Sequence, residues 1–247
     1  MKERPILFSA PMVRALLNDS KTQTRRIAKF EAIEPGLNMQ FTGLRAERRS
    51  NGQWTLQSRD AATNLNDRTR PLYCPYGQPG DRLWVKETHY RYGKWVKAGF
   101  TASGRQRWRF KANGGSVLYP EQVHDIVLPS KRTQLGWHKR PSIFMPRWAS
   151  RITLEVTGVR VERLNDISPD DAQAEGLATI TKDGKLFKYG IPDRDGLPGE
   201  DNYGWPWHEW RISPVDAYQR LWTQINGLGS WFSNPWVWVV EFKQVPQ

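Results

Sequence analysis

Residues 6–27 read ILFSAPMVRALLNDSKTQTRRI, and the fold is decided there. Ile6, Leu7 and Phe8 make a short strand. Ser9 stands where a helix cap is needed and Pro11 falls in the first turn, positions that both residue types favour. Met12, Val13, Leu16 and Leu17 then supply an apolar stripe at helical spacing. Asn18, Asp19 and Ser20 end the helix. Lys21-Thr22-Gln23-Thr24-Arg25-Arg26-Ile27 follows as a turn into a strand, since threonine favours extended backbone.

Working outward, residues 29–79 are polar and irregular, with one hairpin expected around Asn51-Gly52. Gly80-Asp81 opens a strand from Arg82 to Thr88. Residues 91–120 hold two or three short aromatic strands: Trp95 to Phe100, Arg107 to Lys111 and Val117 to Tyr119. After Pro146, Ile152, Leu154, Val156, Val159 and Val161 follow a period of two around Gly158, which predicts one buried face. Ser168-Pro169-Asp170-Asp171 caps a helix that stops at Gly176, and Ser213-Pro214 starts another that ends at Asn226-Gly227. Residues 178–212 between them read as a long loop or lid. Residues 235–242, PWVWVVEF, close the chain as a strand. The class is α+β: a curved sheet or β-barrel with flanking helices, taken as a single domain over 1–247 with long insertions.

Composition narrows the partners. The 247 residues carry 37 Lys+Arg against 25 Asp+Glu, a net charge of +12. Residues 1–150 hold 27 basic and 11 acidic side chains, residues 151–247 hold 10 and 14. Clustered Lys and Arg reward phosphate neutralisation, so a polyanion is the expected partner, against the plainer alternative of a solubilising surface. The 13 Trp, 8 Tyr and 9 Phe suit base stacking beside those charges, although most Trp in any fold are packing. A single cysteine, Cys74, excludes a disulfide framework, and four scattered histidines give no metal-ligand spacing. No cofactor is expected. No run of about 18 apolar residues is present, so a soluble, cytoplasmic protein without a membrane partner is expected.

Three segments can carry chemistry. In the first, Thr22, Thr24 and Arg26 share one face of an extended run, Gln23 and Arg25 the other, and Lys21 leans over either. A lysine beside a threonine hydroxyl can acidify it or, when neutral, act as its base. The same residues also suit an exposed basic edge. In the second, Glu87 continues the apolar stripe of Leu83 and Val85. A carboxylate there is either buried and paired, with Lys21 as the expected partner, or marks a solvated strand end. In the third, Arg147 and Arg151 lie four apart, so one helical turn would give them a common face for phosphates.

These segments resemble the ASCH domain superfamily, which has a PUA-like β-barrel. The lysine-threonine-arginine run after an N-terminal helix carries the resemblance, together with GDRLWVKET, IFMPRWASRITLEVTGVRVERL, ISPDDAQAEG and NPWVWVVEF in that order, blocks similar to those of large phage and prophage members. The matched stretches, 5–28, 77–90, 143–177 and 213–245, cover 106 of 247 residues. The unmatched insertions fall at about 29–76, 91–142 and 178–212. The resemblance implies a protein encoded by phage or prophage that recognises RNA or a modified nucleobase in a basic cleft. Small bacterial members are acetylcytidine amidohydrolases, and by position Lys21, Thr24 and Glu87 take their catalytic lysine, threonine and glutamate. Other members cut single-stranded RNA; the sequence shows no obvious acidic metal cluster, so a nuclease here is expected to cleave without a metal, through the RNA 2′-OH. Nucleic-acid contacts, to RNA or DNA, are assigned to Arg25, Arg26, Trp84, Lys86, Arg147 and Arg151. The chain departs from the small amidohydrolases in its size and in placing Arg25 where they have an apolar residue. Both differences favour a polymer over a free nucleoside. A further alternative is a phage factor that docks a host protein, with the Trp-rich loop from Tyr203 to Trp210 as its anchor.

Overall fold

Ser9 links β1 (Glu3–Leu7) to α1 (Ala10–Leu17), whose buried residues are Met12, Val13, Ala15 and Leu16. The chain turns at Asp19, left-handed at φ 56°, into β2 (Gln23–Ile27). The hairpin of β3 (Leu44–Arg48) and β4 (Trp54–Ser58) turns through Gly52 at φ 85°. Then come β5 (Arg82–Lys86), β6 (His89–Phe100), β7 (Gln106–Leu118), β8 (Gly136–Arg140) and β9 (Thr153–Arg163). The last elements are α2 (Pro169–Ala174), β10 (Ala178–Thr181), β11 (Phe187–Gly190), α3 (Pro214–Asn226) and β12 (Trp236–Val245). The computed structural model describes residues 1–58, 67–200 and 204–246.

Five strands form one sheet in the order β1-β5-β9-β12-β2, while β3–β4, β10–β11 and β7-β6-β8 form smaller ones. The class is therefore α+β, and among the described residues the sheets stay open rather than closing into a barrel. β12 lies between β9 and β2, antiparallel to both, with Val239 opposite Arg25 on one side and Arg160 on the other. Trp236 to Val240 are all buried, as an inner strand covered on both faces requires. Of the three expected caps, those at Ser168 and Ser213 form: Ser168 Oγ accepts from Asp171 N–H at 3.1 Å, and Ser213 Oγ from Asp216 N–H at 3.3 Å.

The chain divides into two compact units. The first comprises Met1–Arg4, Pro11–Leu83 and Ile152–Gln247. Its core includes Leu16, Leu154, Val156 and the inner residues of β12, and Trp238, 1% exposed, meets Phe30 and Trp54 at 5.9 and 6.2 Å. Burying each such side chain contributes about 1.5–3 kcal/mol. In this unit the expected lid at 178–212 instead contains the β10–β11 hairpin, turned where Asp183 Oδ1 accepts from the N–H groups of Lys185 and Leu186. Tyr203 lies outside the described residues. Trp205 and Trp210 are buried, and Trp210 Nε1 donates to the Trp205 carbonyl at 2.8 Å, so these two indoles are core rather than an exposed anchor.

The second unit comprises Pro5–Ala10 and Trp84–Arg151. Its sheet has β6 in the middle, and the two long strands β6 and β7 stand where short ones are expected. Along β7 the residues alternate between exposed and half-buried from Gln106 to Ala112. No helix among the described residues is long and apolar enough to cross a membrane.

Candidate nucleic-acid interface

Lys21, Thr24 and Arg25 all fall in the first unit and all are buried, at 4%, 2% and 2% exposure. The carboxylate beside Lys21 is Glu175, which follows α2. Lys21 Nζ donates to Glu175 Oε2 at 2.9 Å and to its backbone carbonyl at 2.7 Å. Burial lowers the Lys21 ammonium pKa below its ordinary value, and Glu175 only partly opposes this. To act as a base, Lys21 must give up a proton that Glu175 holds.

Arg25 is the centre of the same network. Its Nη1 donates to Glu175 Oε1 at 3.2 Å, and its Nη2 reaches Glu162 at 2.5 Å and Asp171 at 2.8 Å. Arg160 adds bonds to Glu162, Asp171 and Glu241. The sheet register explains the meeting. Arg25, Arg160, Glu162 and Glu241 project from one face of β2, β9 and β12, and α2 brings Asp171 and Glu175 over it. Burial works against the Arg25 charge, but Glu175 and Glu162 outweigh it and hold the guanidinium above its ordinary pKa. A guanidinium shielded in this way does not touch a polymer. Arg26, on the opposite face, is half-buried.

Glu87 belongs to the second unit and is 3% exposed, on the buried stripe of Leu83 and Val85. Its partner is Arg151, whose Nε and Nη2 each donate to one carboxylate oxygen at 2.9 Å. This bidentate pair replaces the expected pairing with Lys21. Burial raises the Glu87 pKa, and Arg151 only partly opposes it. Arg151 also bonds Glu121, and its Cζ lies 3.8 Å from the Tyr119 ring centroid. Arg147 and Arg151 do not share an α-helical turn, because the 3-10 turn Arg147–Ala149 ends at Ser150. Trp84 and Lys86 are half-buried, with the Lys86 ammonium 5.5 Å from the Trp84 ring.

Most of the charge gathers where the motifs do not point. The second unit holds 14 basic and 3 acidic side chains, net +11 of the chain's +12. Two of the three acids, Glu87 and Glu121, are taken by Arg151, which leaves only Asp125. On one face of its sheet Lys94 stands directly opposite Lys111, and Val96 opposite Arg109. Tyr92 and Trp137 pair beside them with an edge contact at 5.5 Å. Lys94, Arg107, Arg109, Lys111 and Lys139 are exposed, and none has an ion pair among the described residues. Like charges directly across a sheet repel, so this face costs the free protein stability.

The sequence signal for this face is the alternation in residues 107–111, RWRFK, which puts cations on one side and rings on the other. Glu175 had a signal too: it lies four residues after Asp171, at the end of α2, a spacing that puts two helical residues on one side. Compared with known protein families, curated proteins and solved structures, the chain matches none.

Proposed function

We propose that this chain is an ASCH-like nucleic-acid-binding protein whose principal polyanion contact is the basic sheet of its second unit. The observation that carries this reading is Lys94 facing Lys111 on an exposed face, flanked by Arg107, Arg109 and Lys139, none of them in an ion pair among the described residues. A phosphate backbone relieves that repulsion and releases counterions as it binds. The ASCH-like part rests on the motif blocks, which supply β1, α1, β2, β5, β9, α2, α3 and β12. RNA and DNA are both candidates at this level.

The test is affinity for a fluorescein-labelled oligonucleotide at several salt concentrations. Log affinity falls steeply with log salt. Replacing Lys94, Arg109 and Lys111 by alanine together flattens the slope by roughly two to three. Affinity that ignores salt, or a triple variant with the wild-type slope, overturns the proposal.

A further inference from the structure

The opposite face of the same sheet is built differently. Trp95 and Phe110 pair across β6 and β7 with ring centroids 5.5 Å apart, and His138 meets Phe110 at 5.8 Å. Arg140 lies over this group, its Cζ 4.6 Å from the Trp95 ring, 4.6 Å from Phe110 and 5.0 Å from Phe144. Arg91 lies over Trp148 at 5.2 Å. Phe144 and Trp148, four residues apart on consecutive 3-10 turns, are 59% and 58% exposed. A ring that is more than half exposed, with a guanidinium over one face, offers its other face to a ligand.

Three buried polar atoms here lack partners, although the His89 Nδ1 donates to the Glu87 carbonyl at 3.2 Å. Arg140 Nη1, Arg91 Nε and His89 Nε2 are buried without a hydrogen bond, and His89 is 0% exposed. His89 stands opposite Arg140 and Arg91 opposite His138, so the three share this face. Arg91 is close enough to burden the Arg140 charge: burial lowers the Arg140 pKa first, and Arg91 lowers it further. Neither has an ion pair among the described residues. Two arginines without ion pairs, each with a buried N–H lacking an acceptor, beside open aromatic rings, match a phosphate flanked by unstacked bases. A duplex keeps its bases stacked inside and cannot use the rings.

We infer that Phe144 and Trp148 are stacking platforms for a single-stranded nucleic acid, with a phosphate held at Arg91 and Arg140. This rests on the proposed polyanion binding and narrows it to one strand form. The experiment titrates the full chain with 15-nucleotide oligo-U, oligo-dT and a 15-base-pair DNA duplex at one salt concentration, reading anisotropy. Single strands bind at least tenfold tighter than the duplex, and the two single-strand arms tell RNA from DNA. Phe144→Ala and Trp148→Ala each weaken single-strand affinity about tenfold and leave duplex affinity unchanged, while Trp148→Phe retains most of it. Both side chains are exposed, so the variants keep the fold, checked by circular dichroism. Duplex affinity equal to or above that for single strands, or alanine variants with unchanged affinity, overturns this inference and leaves polyanion binding standing. Absence of binding to all three probes at low salt overturns both.

Discussion

Lys21 donates twice to Glu175, once to its carboxylate and once to its main-chain carbonyl, so a single residue after α2 anchors the start of β2. The other carboxylate oxygen accepts from Arg25. Glu175→Gln leaves two buried cations short of charge. It is expected to cost about 3–5 kcal/mol in urea denaturation. Adding Lys21→Met removes one stranded cation and recovers part of the loss, so the pair is non-additive. A Glu175→Gln protein as stable as wild type would show that the network carries no net energy.

Asp171 sets an acid limit for the same network. Burial pushes its carboxyl up, but Arg25 and Arg160 outweigh this and hold it below the ordinary 3.8. A depressed folded pKa means that its contribution is full above 3.8 and is lost as pH falls through the folded value. Asp171→Asn is expected to be less stable at neutral pH and to lose less on acidification below 4. Parallel melting-temperature profiles for the two proteins, from pH 6 to pH 2, would contradict this.

Gly176 ends α2 at φ 97°, where a Cβ would lie 2.9 Å from Ala15 Cβ and 3.1 Å from Lys21 Cβ. Gly176→Ala therefore combines left-handed strain with a clash against α1 and the network lysine. A loss of more than about 1 kcal/mol is expected, against the gain that alanine brings at ordinary positions. A neutral or stabilised variant would mean that the turn relaxes freely.

Burial raises the Cys74 thiol pKa to about 11, so at pH 8 only about one molecule in a thousand carries the thiolate. Ellman's reagent is expected to react slowly with the native chain and promptly in urea. Equal rates in both conditions would place the thiol at the surface.

Local chemistry made several elements legible in the sequence. Ser168-Pro169 and Ser213-Pro214 carry their own capping groups, and β12 is apolar enough to stand alone as an inner strand. Leu83, Val85 and Glu87 share a buried stripe because alternation in a strand depends on nothing distant. The partners of the charged residues were not legible. Glu87 finds Arg151, 64 residues on, and Lys21 finds Glu175, 154 residues on, pairings fixed by the tertiary fold rather than by spacing. The β10–β11 hairpin was hidden because Asp, Gly and Pro around it read as loop, while its strands hold only four residues each. The stacking of Arg140 on three rings joins β6, β7, β8 and the turn after β8, and no local pattern announces it.

The order β7-β6-β8 leaves β7, 13 residues long, at an outer margin of its sheet. A margin of that length invites a second copy to add its own strand, and the crowded cations deter such a guest. Neutralising Arg107, Arg109 and Lys111 thus strips a safeguard against self-association along with a ligand contact. Concentrated salt, by screening the same cations, will cloud a clear stock of the free protein.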